Sequence, residues 1–243
     1  MNDSMIFGLR AILEAIDAGK EIDKLLIRQD IKGELSKELF NAIRGRDIPV
    51  QRVPIEKINR LTRKNHQGVV AFISPVAYHS IESIVPTLFE EGKNPFFVLL
   101  DNLTDVRNFG AIARTCECAG VDAIIIPSHN SVTINADAVK TSAGALLTIP
   151  VCRERQLTNT IRYLKNSGFR IIGATEKGDK LYTQGDYRGP VCLIMGAEDK
   201  GIPIDHLSLC DEWVKIPTMG KIKSLNVSVA AGVLIYEIFK QRD

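Results

Sequence analysis

Asn108, Gly110 and Arg114, spaced Asn-x-Gly-x₃-Arg, follow the apolar run Phe96–Leu100. A strand running into a helix start leaves free main-chain amides, which favour anions such as phosphate. Asn108 suits the cap of that helix, Gly110 permits close backbone approach, and Arg114 lies one to two turns along with a planar fork of donors that matches a phosphate. A capped helix with a solvent-facing arginine satisfies the same spacing. A second segment, residues 193–203, runs from an apolar strand into Gly196, Glu198 and Gly201. A glycine directly after a buried strand lets a flat ligand lie on the main chain, although neither a G-x-G-x-x-G nor a Walker pattern is present. Glu198 either anchors a ligand or a neighbouring loop, or is simply solvated. A third segment, residues 216–229, leaves a strand at Ile216, passes Gly220 and reaches Ser224-Leu225-Asn226 ahead of a very apolar helix. Ser224 and Asn226 suit capping of that helix, which does not exclude contact with a substrate.

The elements that must position these residues alternate between strand and helix. From Phe96 onward, strands are expected at 96–100, 123–126, 170–173, 191–195 and 213–216, and helices at 109–119, 134–142, 157–167 and 227–241. Such alternation implies a mainly parallel sheet covered on both faces, with ligands beyond the carboxyl ends of its strands. All three chemistry-bearing segments fall there. The first 78 residues read as a smaller α/β unit. Ile6, Leu9, Ile12, Leu13 and Ile16 have helical spacing, which predicts one amphipathic helix over residues 1–20 stopped by Gly19. A strand around 25–27, helices at 35–44 and 55–61, and strands at 50–53 and 68–73 follow. The expected division is residues 1–78, a linker at 79–93 holding a connecting helix, and residues 94–243.

Composition narrows the class. Apolar residues make up 45% and charged residues 25% of 243, as in ordinary globular proteins. No run of 18 apolar residues exists, and the acidic N-terminal segment is unlike a signal peptide, so a cytoplasmic protein is expected. The five cysteines are scattered and odd in number, which argues for reduced thiols, and Cys116-x-Cys118 has no second pair to complete a zinc site, so no metal is expected. Residues 1–80 carry 13 Lys and Arg against 10 Asp and Glu, with the excess concentrated in Arg44, Arg46, Arg52, Lys57, Arg60, Arg63 and Lys64. That stretch is either a solvated face or a surface that neutralises phosphates.

The three segments, in this order, resemble the signature blocks of the SpoU-type RNA 2′-O-methyltransferases of the SPOUT superfamily. Asn108-x-Gly110-x₃-Arg114, Gly196-x-Glu198-x₂-Gly201, and Ile216-Pro217 with Ser224-Leu225-Asn226-Val227 are all present, as is Thr141-Ser142-Ala143-Gly144-Ala145. Residues 5–78, with His66-Gln67-Gly68 before the last strand, resemble the family's small N-terminal RNA-binding domain, a layout most similar to the 23S ribosomal RNA guanosine methyltransferases. One departure is the run Asp105-Val106-Arg107-Asn108, where many relatives have proline after the aspartate; the turn loses rigidity.

The resemblance implies an α/β SPOUT domain with a deep trefoil knot, an exception to the rule against knots. It implies S-adenosylmethionine held by main chain at Gly196, Ile216 and Leu225, a catalytic Arg114, and active-site roles for Asn108, Glu198, Ser224 and Asn226. The implied partners are RNA, ribosomal more than transfer RNA, and a second copy of the chain, joined through the helix at 227–239 whose apolar residues lie around most of its circumference. A guanidinium is effectively always protonated, so Arg114 either acts as the general base often ascribed to it or binds the adjacent phosphate and stabilises alkoxide charge. A catalytically inactive RNA-binding relative and a Rossmann-type enzyme are the competing classes. The intact polar residues argue against the first, and the missing glycine fingerprint argues against the second.

Overall fold

The computed structural model describes residues 4–222 and 224–242. They form two compact units, one running to Ala77 and including Thr133–Ala136, the other holding Tyr78–Val132 and the chain from Asp137 onward.

The first unit contains β1 (Met5–Phe7), α1 (Leu9–Asp17), β2 (Ile22–Arg28), α2 (Glu34–Ile43), β3 (Val50–Val53), α3 (Ile55–Leu61) and β4 (Val69–Ile73). Its sheet has the order β1-β4-β2-β3, with β4 antiparallel to both neighbours and β2 parallel to β3. Alternation along β2 divides the core: Leu25 and Ile27 pack with Leu9, Ile12, Ile16 and Leu39, while Leu26 packs on the other face with Val53 and Ile58. The single N-terminal helix expected over residues 1–20 is corrected here. Met5–Phe7 is a strand paired with Val70–Phe72, and Gly8, at φ 89°, turns the chain into a helix that starts at Leu9. Ile6 fits the helical spacing, but hydrogen bonding to a strand more than 60 residues away decides its conformation. Arg44, Arg46, Arg52, Lys57, Arg60, Arg63 and Lys64 are all exposed.

The second unit is built on eight strands: β5 (Tyr78–His79), β6 (Phe96–Leu100), β7 (Ala123–Pro127), β8 (Val151–Glu154), β9 (Arg170–Ala174), β10 (Lys180–Leu181), β11 (Val191–Met195) and β12 (Glu212–Lys215). They pair in the order β10-β12-β9-β11-β6-β7-β8-β5, parallel throughout. Every residue of β6 and β11 is buried, as parallel strands covered on both faces require. The helices are α4 (Ile81–Glu90), α5 (Val106–Cys118), α6 (Ala136–Thr141), α7 (Leu157–Asn166), α8 (Ile204–Leu207) and α9 (Val227–Arg242). Within the stretch expected to be a linker, Ser80 caps α4, and Ile81 and Val85 are buried in the core formed by β6, β7 and β11. None of the described helices is long and apolar enough to cross a membrane.

Candidate active site

The helix after β6 begins earlier than its sequence suggests. Asp105, not Asn108, is the N-cap of α5: its carboxylate accepts from the Asn108 main-chain N–H at 2.8 Å. Val106 takes the first helical position, where proline is favoured because its fixed φ suits a helix start and its missing N–H has no partner to lose. Valine there keeps the helix while giving up that rigidity. Because Asp105 does the capping, the Asn108 side chain is free for a second task.

That task is a contact with the loop after β11. Asn108 Nδ2 donates to Glu198 Oε1 at 3.1 Å. Asn226 Nδ2 donates to the same oxygen at 2.7 Å and to Asn108 Oδ1 at 3.1 Å. The Val227 main-chain N–H at the start of α9 donates to Glu198 Oε1 at 3.2 Å. Asn226 Oδ1 in turn accepts from the main chain of Ser228 at 3.0 Å and of Val229 at 3.4 Å, so Asn226 caps α9 as its sequence suggests. One carboxylate oxygen thus joins the starts of α5 and α9, and each carboxamide is fixed in orientation by bonds at its other end. A negative charge at the amino end of α9 also complements the helix dipole.

Two glycines serve close packing of the chain on itself. A Cβ on Gly196 would lie 2.1 Å from the main-chain carbon of Gly201, because the loop doubles back with an Ala197–Gly201 bridge and a Gly201 N–H to Ala197 O bond of 2.8 Å. A Cβ on Gly110 would lie 2.7 Å from Cβ of Thr141. The close approach at Gly110 is therefore α6 packing against α5, which accounts for the Thr141-containing motif as well.

The remaining expected residues are nearby in chain but not in the hydrogen-bonded group. Arg114 is exposed on α5 and, among the described residues, has no ion-pair partner. Ser224 and Leu225 are exposed on the approach to α9, and Ile216 is half-buried just beyond β12. Met219 and Ile222, between β12 and α9, are also exposed and apolar.

Asp101 and His206 were not singled out from sequence. Asp101, 1% exposed, directly follows β6. It accepts from Asn102 Nδ2 at 2.7 Å and lies 2.6 Å from His206 Nδ1, on the helix that follows the Glu198 loop. The bond to Asp101 raises the His206 pKa, against the opposing effect of burial. The only signal in the sequence was an acid placed directly after five apolar residues.

The SpoU rRNA Methylase family matches residues 95–236, and the RNA 2′-O ribose methyltransferase substrate-binding family matches residues 5–79. A TrmH family tRNA/rRNA methyltransferase of Staphylococcus saprophyticus is 37% identical over 243 residues, covering all of this chain and 98% of that one. Among solved structures, the AdoMet-bound rRNA methyltransferase from Sinorhizobium meliloti is 27% identical, with a TM-score of 0.62 over 97% of this chain and 86% of its own. The TrmH/SpoU tRNA modifying enzyme of A. aeolicus is also 27% identical, with a TM-score of 0.56 over 66% of this chain and 83% of its own. Matched over more than half its length by one family and aligned end to end with a TrmH family relative, this chain belongs to the SpoU rRNA methylase family of RNA 2′-O-ribose methyltransferases.

Proposed function

We propose that this protein transfers a methyl group from S-adenosylmethionine to a ribose 2′-hydroxyl of ribosomal RNA, within the 23S molecule. The observation that carries the reading is the meeting of Asn108, Glu198 and Asn226, brought from segments up to 118 residues apart onto one carboxylate oxygen. Support for ribosomal over transfer RNA comes from extent. Similarity to the S. meliloti rRNA methyltransferase spans 97% of the chain, whereas similarity to the A. aeolicus tRNA modifying enzyme spans 66%.

The loops after β11 and β12 fit the cofactor. Gly196 lets the loop fold tightly back at the end of β11, and Met219, Ile222 and Leu225 are exposed apolar groups between β12 and α9, suited to a flat heterocycle. Gly196, Ile216 and Leu225 would hold S-adenosylmethionine through their main chain. When bound, it supplies an electrophilic methyl on a sulfonium. A ribose hydroxyl is a poor nucleophile, so the chain's own contribution is position and charge. The exposed Arg114 guanidinium binds the phosphate next to the target ribose and stabilises negative charge on its 2′-oxygen. The carboxamides of Asn108 and Asn226, already oriented by Glu198, present fixed dipoles that cost no reorganisation when charge develops. Ser224 orients the ribose.

Two further parts belong to this proposal. The exposed cations between Arg44 and Lys64 bind RNA phosphates. A second copy covers α9, which buries Val227, Ala231, Leu234, Ile235 and Ile238 within the chain but leaves Val229, Tyr236 and Phe239 exposed. The knot in the segment after β11 and a cytoplasmic setting are carried over from the family resemblance and the sequence. The test is mass spectrometry of nucleosides from ribosomal and transfer RNA of cells with and without the protein. Loss of one 2′-O-methylnucleoside from 23S RNA is expected. Loss from transfer RNA alone would reassign the substrate, and no change in either would overturn the activity.

A further inference from the structure

We propose that a cavity at the carboxyl ends of β6, β7 and β11 receives the base of the nucleotide being methylated, and that it favours bases bearing an exocyclic amino group over uracil. This rests on the methyltransferase reading above and deepens it.

The sheet order explains why a cavity opens here. From β6 the chain moves to β7 and β8 on one side, then returns to β9 and β11 on the other. Connections that leave in opposite directions part the loops above β6, and ligands bind at such switch points. The cavity, about 610 Å³, lies between the loops after these three strands. That volume falls in the range of small-molecule sites and admits a nucleoside. Its wall includes Glu198, the acceptor that gathers the polar cluster. The main chain expected to hold the cofactor lies at the ends of β11 and β12. β12 is separated from β11 by β9, on the side of β11 away from β6. On this placement the cofactor and the target nucleotide meet at the loop that carries Glu198, as transfer of a methyl group between them requires.

The lining sets the chemistry. Among the described residues of the lining, Asp105, Glu198 and Asp199 outnumber one cation, Lys200, and Asn102, Thr104 and Asn130 complete its polar part. This excess of acceptors repels a phosphate or the carboxylate of an amino acid. It suits the amino groups of guanine, adenine or cytosine. Uracil, which carries a carbonyl oxygen where cytosine carries an amine, would set acceptor against acceptor. The side chains of Thr104, Asn130 and Asp199 have no hydrogen-bond partner among the described residues, so their groups are available. Asn130 sits at φ 53°, a conformation that asparagine tolerates, so its side chain can be removed without strain by glycine.

The experiment uses the full-length protein, S-adenosylmethionine, and ribosomal and transfer RNA extracted from cells lacking the protein. Nucleoside mass spectrometry identifies the product. Steady-state kinetics with the responding RNA and calorimetry with S-adenosylhomocysteine are run on wild type, Asn130→Gly and Asp199→Asn. The expected product is a 2′-O-methylated guanosine, adenosine or cytidine. Each variant should lower kcat/KM for RNA about tenfold, the loss of one net hydrogen bond, through a raised KM and with cofactor affinity unchanged. A product of 2′-O-methyluridine, variants with normal kcat/KM, or variants that weaken cofactor binding instead would each overturn the assignment of the cavity while leaving the enzyme reading intact. Absence of any methylated product from wild type would overturn the enzyme reading itself.

Discussion

Arg114 is an exposed guanidinium without an ion-pair partner among the described residues, on the same helix that delivers Asn108 to Glu198. If it meets RNA phosphate and stabilises the reacting oxygen, Arg114→Ala should reduce single-turnover methylation by about 10² or more, with cofactor affinity unchanged. Arg114→Lys keeps charge but loses the planar fork and should recover little. A near-normal rate for Arg114→Ala would remove it from the mechanism. Gly196 carries a different kind of requirement. A Cβ there would lie 2.1 Å from the main chain of Gly201, so Gly196→Ala must push the loop off the end of β11. Cofactor binding by calorimetry should fall at least about tenfold, a change of about 1.4 kcal/mol; unchanged affinity would separate the glycine from the cofactor. At His206 the chemistry is ionic. His206→Ala leaves the buried Asp101 carboxylate with one donor fewer, at a cost of about 1–3 kcal/mol. The His206 pKa is raised in the fold, so its added stability is fully present below the ordinary histidine value and lost as pH rises through the raised one. Urea unfolding should show a larger gap between wild type and variant near pH 6 than near pH 8. The reverse order would contradict the Asp101–His206 pair as its cause.

Elements contribute registers and faces. α5 starts at Val106 because Asp105 caps it, and this one-turn advance turns Asn108 from a cap into a bridge. α9 has apolar residues on nearly every side, yet the chain buries only the stripe through Val227, Ala231, Leu234, Ile235 and Ile238. The opposite side keeps Tyr236 and Phe239, whose rings meet edge to face at 6.0 Å. Exposed aromatic pairs of this kind are characteristic of the centre of protein interfaces. Sedimentation should find a dimer at micromolar concentration for wild type and a monomer for Tyr236→Glu/Phe239→Glu, with the fold retained by circular dichroism. A wild-type monomer would refute the dimer.

The whole molecule divides its labour between two units. The three segments of the polar cluster all lie in the second, and the exposed basic run lies in the first. Because β5 and α4 belong to the core of the second unit, a truncated chain must keep Tyr78 onward; a cut near Lys93 would remove Ile81 and Val85 from that core. Residues 78–243 alone should bind S-adenosylhomocysteine as the full chain does. They should lose RNA affinity, and the slope of log affinity against log salt should become shallower as phosphate contacts disappear. An unchanged slope would place RNA recognition elsewhere.

What the amino-acid order determined by itself was local. Runs such as FFVLL and VCLIM have no polar side to expose and must be strands buried on both faces, as β6 and β11 are. Spacing left Asn108, Glu198 and Asn226 open between capping, solvation and chemistry, and only the family resemblance grouped them, whereas Asn226 caps α9 because a short amide before an apolar helix has few better uses. Tertiary structure decided what depends on partners distant in the chain. Residues 5–7 became a strand because β4 offers them hydrogen bonds, while their spacing fitted a helix equally well. β5, β8 and β10 are two to four residues long and take their form from neighbouring strands rather than from their own patterning. The strand order, and with it the cavity above β6, follows from which hydrophobic faces pack together. Asp101 and Glu198 carry the same charge on similar side chains. Only burial and the approach of His206, Asn108 and Asn226 made one a pin between two loops and the other the centre of a polar cluster.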